Sequence, residues 1–163
     1  MKVCFVAINA KYIHTSPAVR ILNKIVSVKY DSKFFEFTIK DNINNIIEVI
    51  KDYDYIGLSC YIWNIQMCIK LSKEIKKLFP QKVVFAGGPE VSYDTKSFVD
   101  EFDYIISGEG EEIILPFIDS LIENSNNINE LTLDVIPPTY SENYYFVSYS
   151  HKDYKKVLPF RRQ

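Results

Sequence analysis

Residues 82–91 read Lys-Val-Val-Phe-Ala-Gly-Gly-Pro-Glu-Val, KVVFAGGPEV. Positions 82–86 read as a strand, apolar without alternation from Val83 on, the pattern of a strand buried on both faces, and it ends on two of the chain's five glycines. Upstream, Ile65, Cys68, Leu71, Ile75 and Leu78 recur at helical spacing with Lys73, Lys76 and Lys77 opposite, until Pro80 closes the segment. Before that helix, residues 55–60 (YIGLSC) read as another strand. Downstream, the pattern predicts a short helix at about residues 94–101 and a strand at residues 103–106. A final helix is expected from about Gly110, with Ile114, Phe117, Ile118 and Leu121 inward. Toward the N-terminus, residues 2–8 are a continuous apolar strand, followed by Ser16 as N-cap and Pro17 at the first position of a helix expected to reach about Val28. Residues 33–39 (KFFEFTI) read as a strand, and Ile43, Ile46, Ile47 and Ile50 then share one helical face.

Strands buried on both sides and separated by amphipathic helices require a parallel sheet covered on both faces. The sequence therefore predicts an α/β fold: a doubly wound five-stranded parallel sheet, Rossmann-like or flavodoxin-like. The expected strand order is 2-1-3-4-5, because single helices can then make every right-handed crossover. After Asn124 the alternation stops. Ser125-Asn126-Asn127-Ile128-Asn129 is a polar break, Pro137-Pro138 interrupts regular pairing, and the remainder is tyrosine-rich without a clear period. The chain divides into a domain over residues 1–125 and a linker and tail over residues 126–163.

Composition narrows the function. With 47% hydrophobic residues and a net charge of −2, the chain is neither disordered nor basic enough for a general nucleic-acid binder. The longest apolar runs fall far short of the ~20 residues that a membrane span needs. The N-terminal run lacks the length and cleavage site of a signal peptide, so a cytoplasmic location is expected, with no membrane or nucleic-acid partner. The three cysteines, Cys4, Cys60 and Cys68, match no zinc or iron–sulfur spacing and read as buried reduced thiols. His14 and His151 have no partner at metal-ligand spacing and read as a loop and a tail residue.

Open parallel sheets bind ligands beyond the carboxyl ends of their strands. The unusual clusters of this sequence all fall there. The first loop supplies Asn9, Ala10 and Tyr12; the third, Ser59, Cys60, Tyr61 and Trp63; the fourth, Gly87, Gly88, Pro89 and Glu90; the fifth, Gly108, Glu109 and Gly110. Small residues at strand ends with aromatics just beyond suggest a slot with a flat lid. Gly87-Gly88 beside Ser59 reads as a ligand channel, the alternative being glycines that only permit positive φ in tight turns. A bulky side chain at Gly88 is expected to abolish binding and leave the fold intact. Neither G-x-G-x-x-G nor a P-loop is present, and the carboxylates of GEGEE at a helix start would repel phosphate. No nucleophile–histidine pair or metal cluster appears at these loops, so no catalytic residue is assigned and the chain reads as a binder.

The motifs GGPEVS, SGEGEE and LSCYIWN, in place at successive strand ends, together resemble the N-terminal cobalamin-binding domain of the cobalamin-dependent radical S-adenosylmethionine enzymes over about residues 1–125. The first loop, NAKYIHTSPAVRIL, is similar to one subgroup. The resemblance implies a corrinoid partner, its nucleotide tail between the strand ends along Ser59, Gly87 and Gly88, and its ring near Tyr12, Tyr61 and Trp63. It also implies cobalt bound without a histidine from the protein, since the D-x-H-x-x-G of many cobalamin domains is not matched at Asn9-Ala10-Lys11-Tyr12. The C-x-x-x-C-x-x-C that would hold an iron–sulfur cluster does not occur, because no cysteine follows Cys68. The resemblance implies that the cluster belongs to a radical domain outside this chain, and the chain alone is expected neither to form it nor to cleave S-adenosylmethionine. A domain excised at its boundary, a truncated gene product and a free-standing binding domain are all compatible with this. The tail is expected to pack on its own domain or on a second copy of the chain. The alternative class is a flavodoxin-like or receiver-like regulatory domain without a corrinoid; a domain that keeps the fold and has lost its ligand is a further possibility.

Overall fold

The computed structural model describes residues 1–125, 144–151 and 154–161. Five parallel strands run in the order β2 (Asp31–Thr38), β1 (Lys2–Asn9), β3 (Tyr55–Ser59), β4 (Val83–Gly87), β5 (Tyr104–Ser107), as the sequence predicts. On one face α1 (Pro17–Val26) and α6 (Ile114–Ser125) cover Val3, Phe5, Ala7, Tyr55 and Phe85. On the other, α2 (Ile43–Ile50) and α3 (Ile65–Leu78) cover Cys4, Val6, Ile8, Ile56 and Leu58. Successive residues of one strand thus feed two cores, which is why β1 shows no polar alternation. The three cysteines are buried free thiols.

Helix boundaries differ in instructive ways. The helix expected at 94–101 is the shorter α5 (Thr95–Phe98), and an unforeseen α4 (Pro89–Tyr93) precedes it, since Pro89 opens a helix directly behind Gly88. The final helix begins at Ile114 after a turn in which Ile114 N–H bonds Gly110 O. Ser16 occupies the N-cap of α1, yet its hydroxyl makes no capping bond; its N–H donates instead to Glu36 Oε1 at 2.5 Å.

The reading of the C-terminal region as a tail without regular structure is corrected for two segments. β6 (Tyr144–His151) lies antiparallel to β5, and β7 (Tyr154–Arg161) lies antiparallel to β6. Pro159 sits within β7, which ends the sheet, and an edge strand tolerates a residue without an N–H. The hairpin packs on its own domain along the short β5 edge. The polar break and Pro137-Pro138 lie outside the described residues.

Two carboxylates tie α1 and the segment after it to the body. Asp119 on α6 accepts from Lys29 Nζ at 2.7 Å and from the Tyr30 hydroxyl. Those hydrogen bonds, Lys29 first, outweigh burial and hold its carboxyl below the ordinary value. Burial pushes Glu36 up, but the Ser16 N–H, the Arg20 guanidinium and the Asn9 amide outweigh it, so Glu36 is also lowered. A carboxyl more acidic in the folded than in the unfolded chain binds fewer protons when folded. Its stabilisation is therefore complete above the unfolded value and lost as pH falls through the folded one. The midpoint of thermal unfolding should be nearly level from about pH 7 to 5 and fall below about pH 4. Asp119→Asn with Glu36→Gln should flatten that acid limb, whereas an unchanged limb would assign it to other groups.

Candidate functional site

Strand register sets the site. Ala7 pairs with Ser59, and Ser59 pairs with Gly87, so three small residues stand side by side at the carboxyl ends of β1, β3 and β4 on the α1/α6 face. The row below is Phe5, Gly57 and Phe85. Gly57 makes that row possible, because a Cβ there would lie 2.6 Å from the Phe85 ring. Phe5 and Phe85 meet edge-on at a centroid distance of 6.1 Å, and Phe85 packs on Phe117 of α6 at 5.2 Å. Rings fill the lower row and small residues leave the upper one open.

The result is a cleft of about 380 Å³ between the sheet, α1 and the loop that follows β5. Its walls are mostly apolar, from Ala18 and Leu22 of α1 to Ile106 and Ile114. Ser59, Tyr61, Gly87, Gly88 and Pro89 line it from one side, and Gly108, Glu109 and Gly110 from the other. Glu109 and Glu111 are exposed at its mouth, giving an apolar interior an acidic lip. A pocket of this size and polarity suits burial of a flat organic group rather than a free phosphate.

The two adjacent glycines do different things. Gly87 has ordinary backbone angles, and a Cβ on it would meet nothing closer than Ile106 O at 3.7 Å. Gly88 has φ +108°, and a Cβ there would lie 2.5 Å from Cys60 O and 3.0 Å from Cys60 N. What approaches the backbone at Gly88 is the loop after β3. Cys60 N–H donates to Gly87 O at 2.7 Å, and Glu90 N–H donates to Cys60 O at 3.3 Å. The expectation that a bulky residue at Gly88 would spare the fold is corrected by this contact. Gly108 also has positive φ, +91°, and its N–H is held by Ser92 Oγ at 3.1 Å.

Of the third loop, Tyr61 reaches the cleft and stacks on Trp63 with ring centroids 4.5 Å apart and planes within 9°. Trp63 is 50% exposed beyond the cleft's mouth, and Ile62 beside it is also exposed. Cys60 points into the opposite core, where the neighbouring Cys68 thiol and burial push its own thiol up. Glu90 contributes its backbone N–H to the loop contact and its side chain does not line the cleft.

Asn9, Ala10 and Tyr12 are not brought to the cleft. They line a separate depression of about 500 Å³ over the ends of β1 and β2, with Glu36, Thr38 and Lys40. His14 lines this depression too and is not brought to the cleft. Sequence reasoning missed Gly57, whose position inside a strand was the available signal of a close approach. It also missed Ala18 and Leu22, which share a helical face with core residues and carry no distinguishing mark.

With this geometry established, similarity to known proteins is informative. The model of the B12 binding domain matches residues 3–116. The cobalamin-dependent radical SAM methyltransferase TokK of Streptomyces tokunonensis is 33% identical over 72 residues, 42% of this chain and 11% of that protein. The 2-(S-pantetheinyl)-carbapenam-3-carboxylate methyltransferase of Streptantibioticus cattleyicolor is 33% identical over 89 residues, 53% of this chain and 13% of that protein. The matched segments thus span only a small part of these relatives. A crystal structure of a cobalamin-binding protein from Desulfitobacterium hafniense DCB-2 aligns with a TM-score of 0.56 at 15% identity, covering 72% of this chain and 57% of that one, and shares the fold.

Proposed function

The chain belongs to the B12-binding domain family, and on that premise we propose that it holds a corrinoid at the carboxyl ends of its parallel strands, the nucleotide tail in the cleft and the ring across the rim beside Tyr61 and Trp63. The observation that carries this reading is the in-register pair Ser59–Gly87, which lines a largely apolar slot at the end of the sheet where such folds bind ligands. The walls from Ala18, Leu22, Phe85, Ile106 and Ile114 exclude water around a buried aromatic base, while the acidic lip keeps the tail's phosphate outside. A bound corrinoid supplies a cobalt centre able to carry a methyl group. His14 lines the other depression and supplies no imidazole to the cleft, so the cobalt would be held without a histidine from the loop after β1.

In a longer enzyme, such a domain would present the corrinoid to a radical domain bearing the iron–sulfur cluster, as the homology to radical SAM methyltransferases supports. A flavin phosphate at the start of α1 is a poorer fit, because the Glu36 carboxylate already accepts the Ser16 N–H there.

Incubation with hydroxocobalamin followed by gel filtration should give protein carrying the visible corrin bands. After reduction to the cob(II)alamin state, the electron paramagnetic resonance spectrum should lack nitrogen superhyperfine splitting. A colourless protein at saturating ligand overturns the reading, and nitrogen splitting overturns the mode of cobalt binding.

A further inference from the structure

The strand order reverses direction between β1 and β3: the helix after β1 covers one face of the sheet and the helix after β3 covers the other. This leaves a crevice between the two strand ends. Asn64 fills it. The residue is 1% exposed, and its Nδ2 donates to Ile8 O of β1 at 3.0 Å and to Ser59 O of β3 at 2.9 Å. Its Oδ1 accepts the Tyr61 N–H at 2.8 Å. The two carbonyls can only accept, so they fix which end of the amide faces them.

Asn64 also stands at the N-cap of α3, where an asparagine ordinarily satisfies the first turn of its own helix. Here it makes no such capping bond. Its side-chain amide is turned back onto the strand ends and the loop carrying Tyr61, Ile62 and Trp63. That loop projects an exposed isoleucine and a half-exposed tryptophan, side chains that would otherwise fold down onto apolar surface.

We propose that Asn64 is a positioning residue, whose amide joins the ends of β1 and β3 to the following loop and thereby holds the stacked Tyr61–Trp63 pair as a preformed platform for the ring of the bound ligand. The proposal rests on the corrinoid reading for the identity of that ligand, but not for the role of Asn64 in the free protein. Aspartate could keep the bond to Tyr61 but not donate to two carbonyls, and alanine would leave all three backbone groups without this partner.

Trp63 is the only tryptophan of the chain, so its emission reports the platform directly. In ligand-free Asn64→Ala, the emission should shift to longer wavelength and become more accessible to acrylamide, while unfolding stays cooperative. Hydroxocobalamin affinity should weaken about tenfold, the size expected when side chains must be ordered on binding. A lower melting midpoint with unchanged emission and unchanged affinity would mean a purely structural role and would overturn the proposal. If Asn64→Ala does not fold, amide exchange in the intact protein decides. The Tyr61 N–H, held by Asn64, should exchange at least about tenfold more slowly than the N–H of Ile62, and equal rates overturn the proposal. A wild-type protein that takes up no hydroxocobalamin would overturn the platform's ligand role together with the corrinoid reading; the emission comparison separately decides whether Asn64 holds the stack.

Discussion

Gly88→Ala should destabilise the domain strongly, and far more than the same change at the adjacent Gly87. Gly88 lies at φ +108°, ψ 174°, a region that essentially only glycine occupies, and holding another residue there costs about 1–3 kcal/mol. The added Cβ would also lie 2.5 Å from Cys60 O. That atom cannot step aside cheaply: Cys60 is bonded through its N–H to Gly87 O and through its carbonyl to Glu90 N–H, so moving it breaks the junction between β3 and β4. A total of roughly 3 kcal/mol or more is a large share of the ~5–15 kcal/mol that stabilises a domain, and should lower the melting midpoint by on the order of 10 °C. The loss should be the same size with and without hydroxocobalamin in the unfolding scan once the variant's own binding is accounted for. A wild-type midpoint would show that the loop after β3 can withdraw from Gly88.

Gly87→Leu should do the reverse, leaving the fold and removing the ligand. Gly87 has strand geometry, and the direction of its missing side chain meets only Ile106, at 3.7 Å or more, so a side chain can be built without strain. A leucine there would project into the slot beside Ser59, in the row that the cleft depends on. Overfilling a closely bounded apolar site costs typically 1–3 kcal/mol when the walls can shift and more when they cannot. Here the floor is the Phe5–Phe85 pair packed against Phe117, which has little room to move. Retention of hydroxocobalamin should therefore fall by about 100-fold or more, with a cooperative thermal transition near that of the unsubstituted protein. Undiminished binding would place the ligand elsewhere and leave the small-residue row without a role. Measured together, the adjacent substitutions separate a glycine required by the backbone from one required by the cleft.

The sequence by itself determined the repeating architecture. Hydrophobic period is a local property, so the buried run of β1, the helical faces of α2 and α3 and the breaks at Pro80 and Asn124 could be read residue by residue. Strand order followed from the handedness of crossovers, and the carboxyl-end location of the site followed from that order. The glycine pair and the loop aromatics were legible as candidates for the same reason. What each does was decided only in three dimensions. Gly88 is required by Cys60, a residue distant in sequence whose backbone reaches it across the junction of two strands. Asn9, Ala10 and Tyr12 share a strand end with the cleft, but the turn after β1 carries them over β2, so identical placement in the alternation did not mean one pocket. Asn64 carried no sign of its role in the sequence, because Ile8 O and Ser59 O come within reach of its amide only in the sheet. The C-terminal hairpin was hidden because β6 and β7 form against a partner strand, and their mixed aromatic and polar sequence, with Pro159 inside it, has no period strong enough to announce pairing with β5. Local pattern fixes which segments can be strands and helices; close approaches between distant segments fix which residues are confined, and those approaches exist only once the sheet has formed.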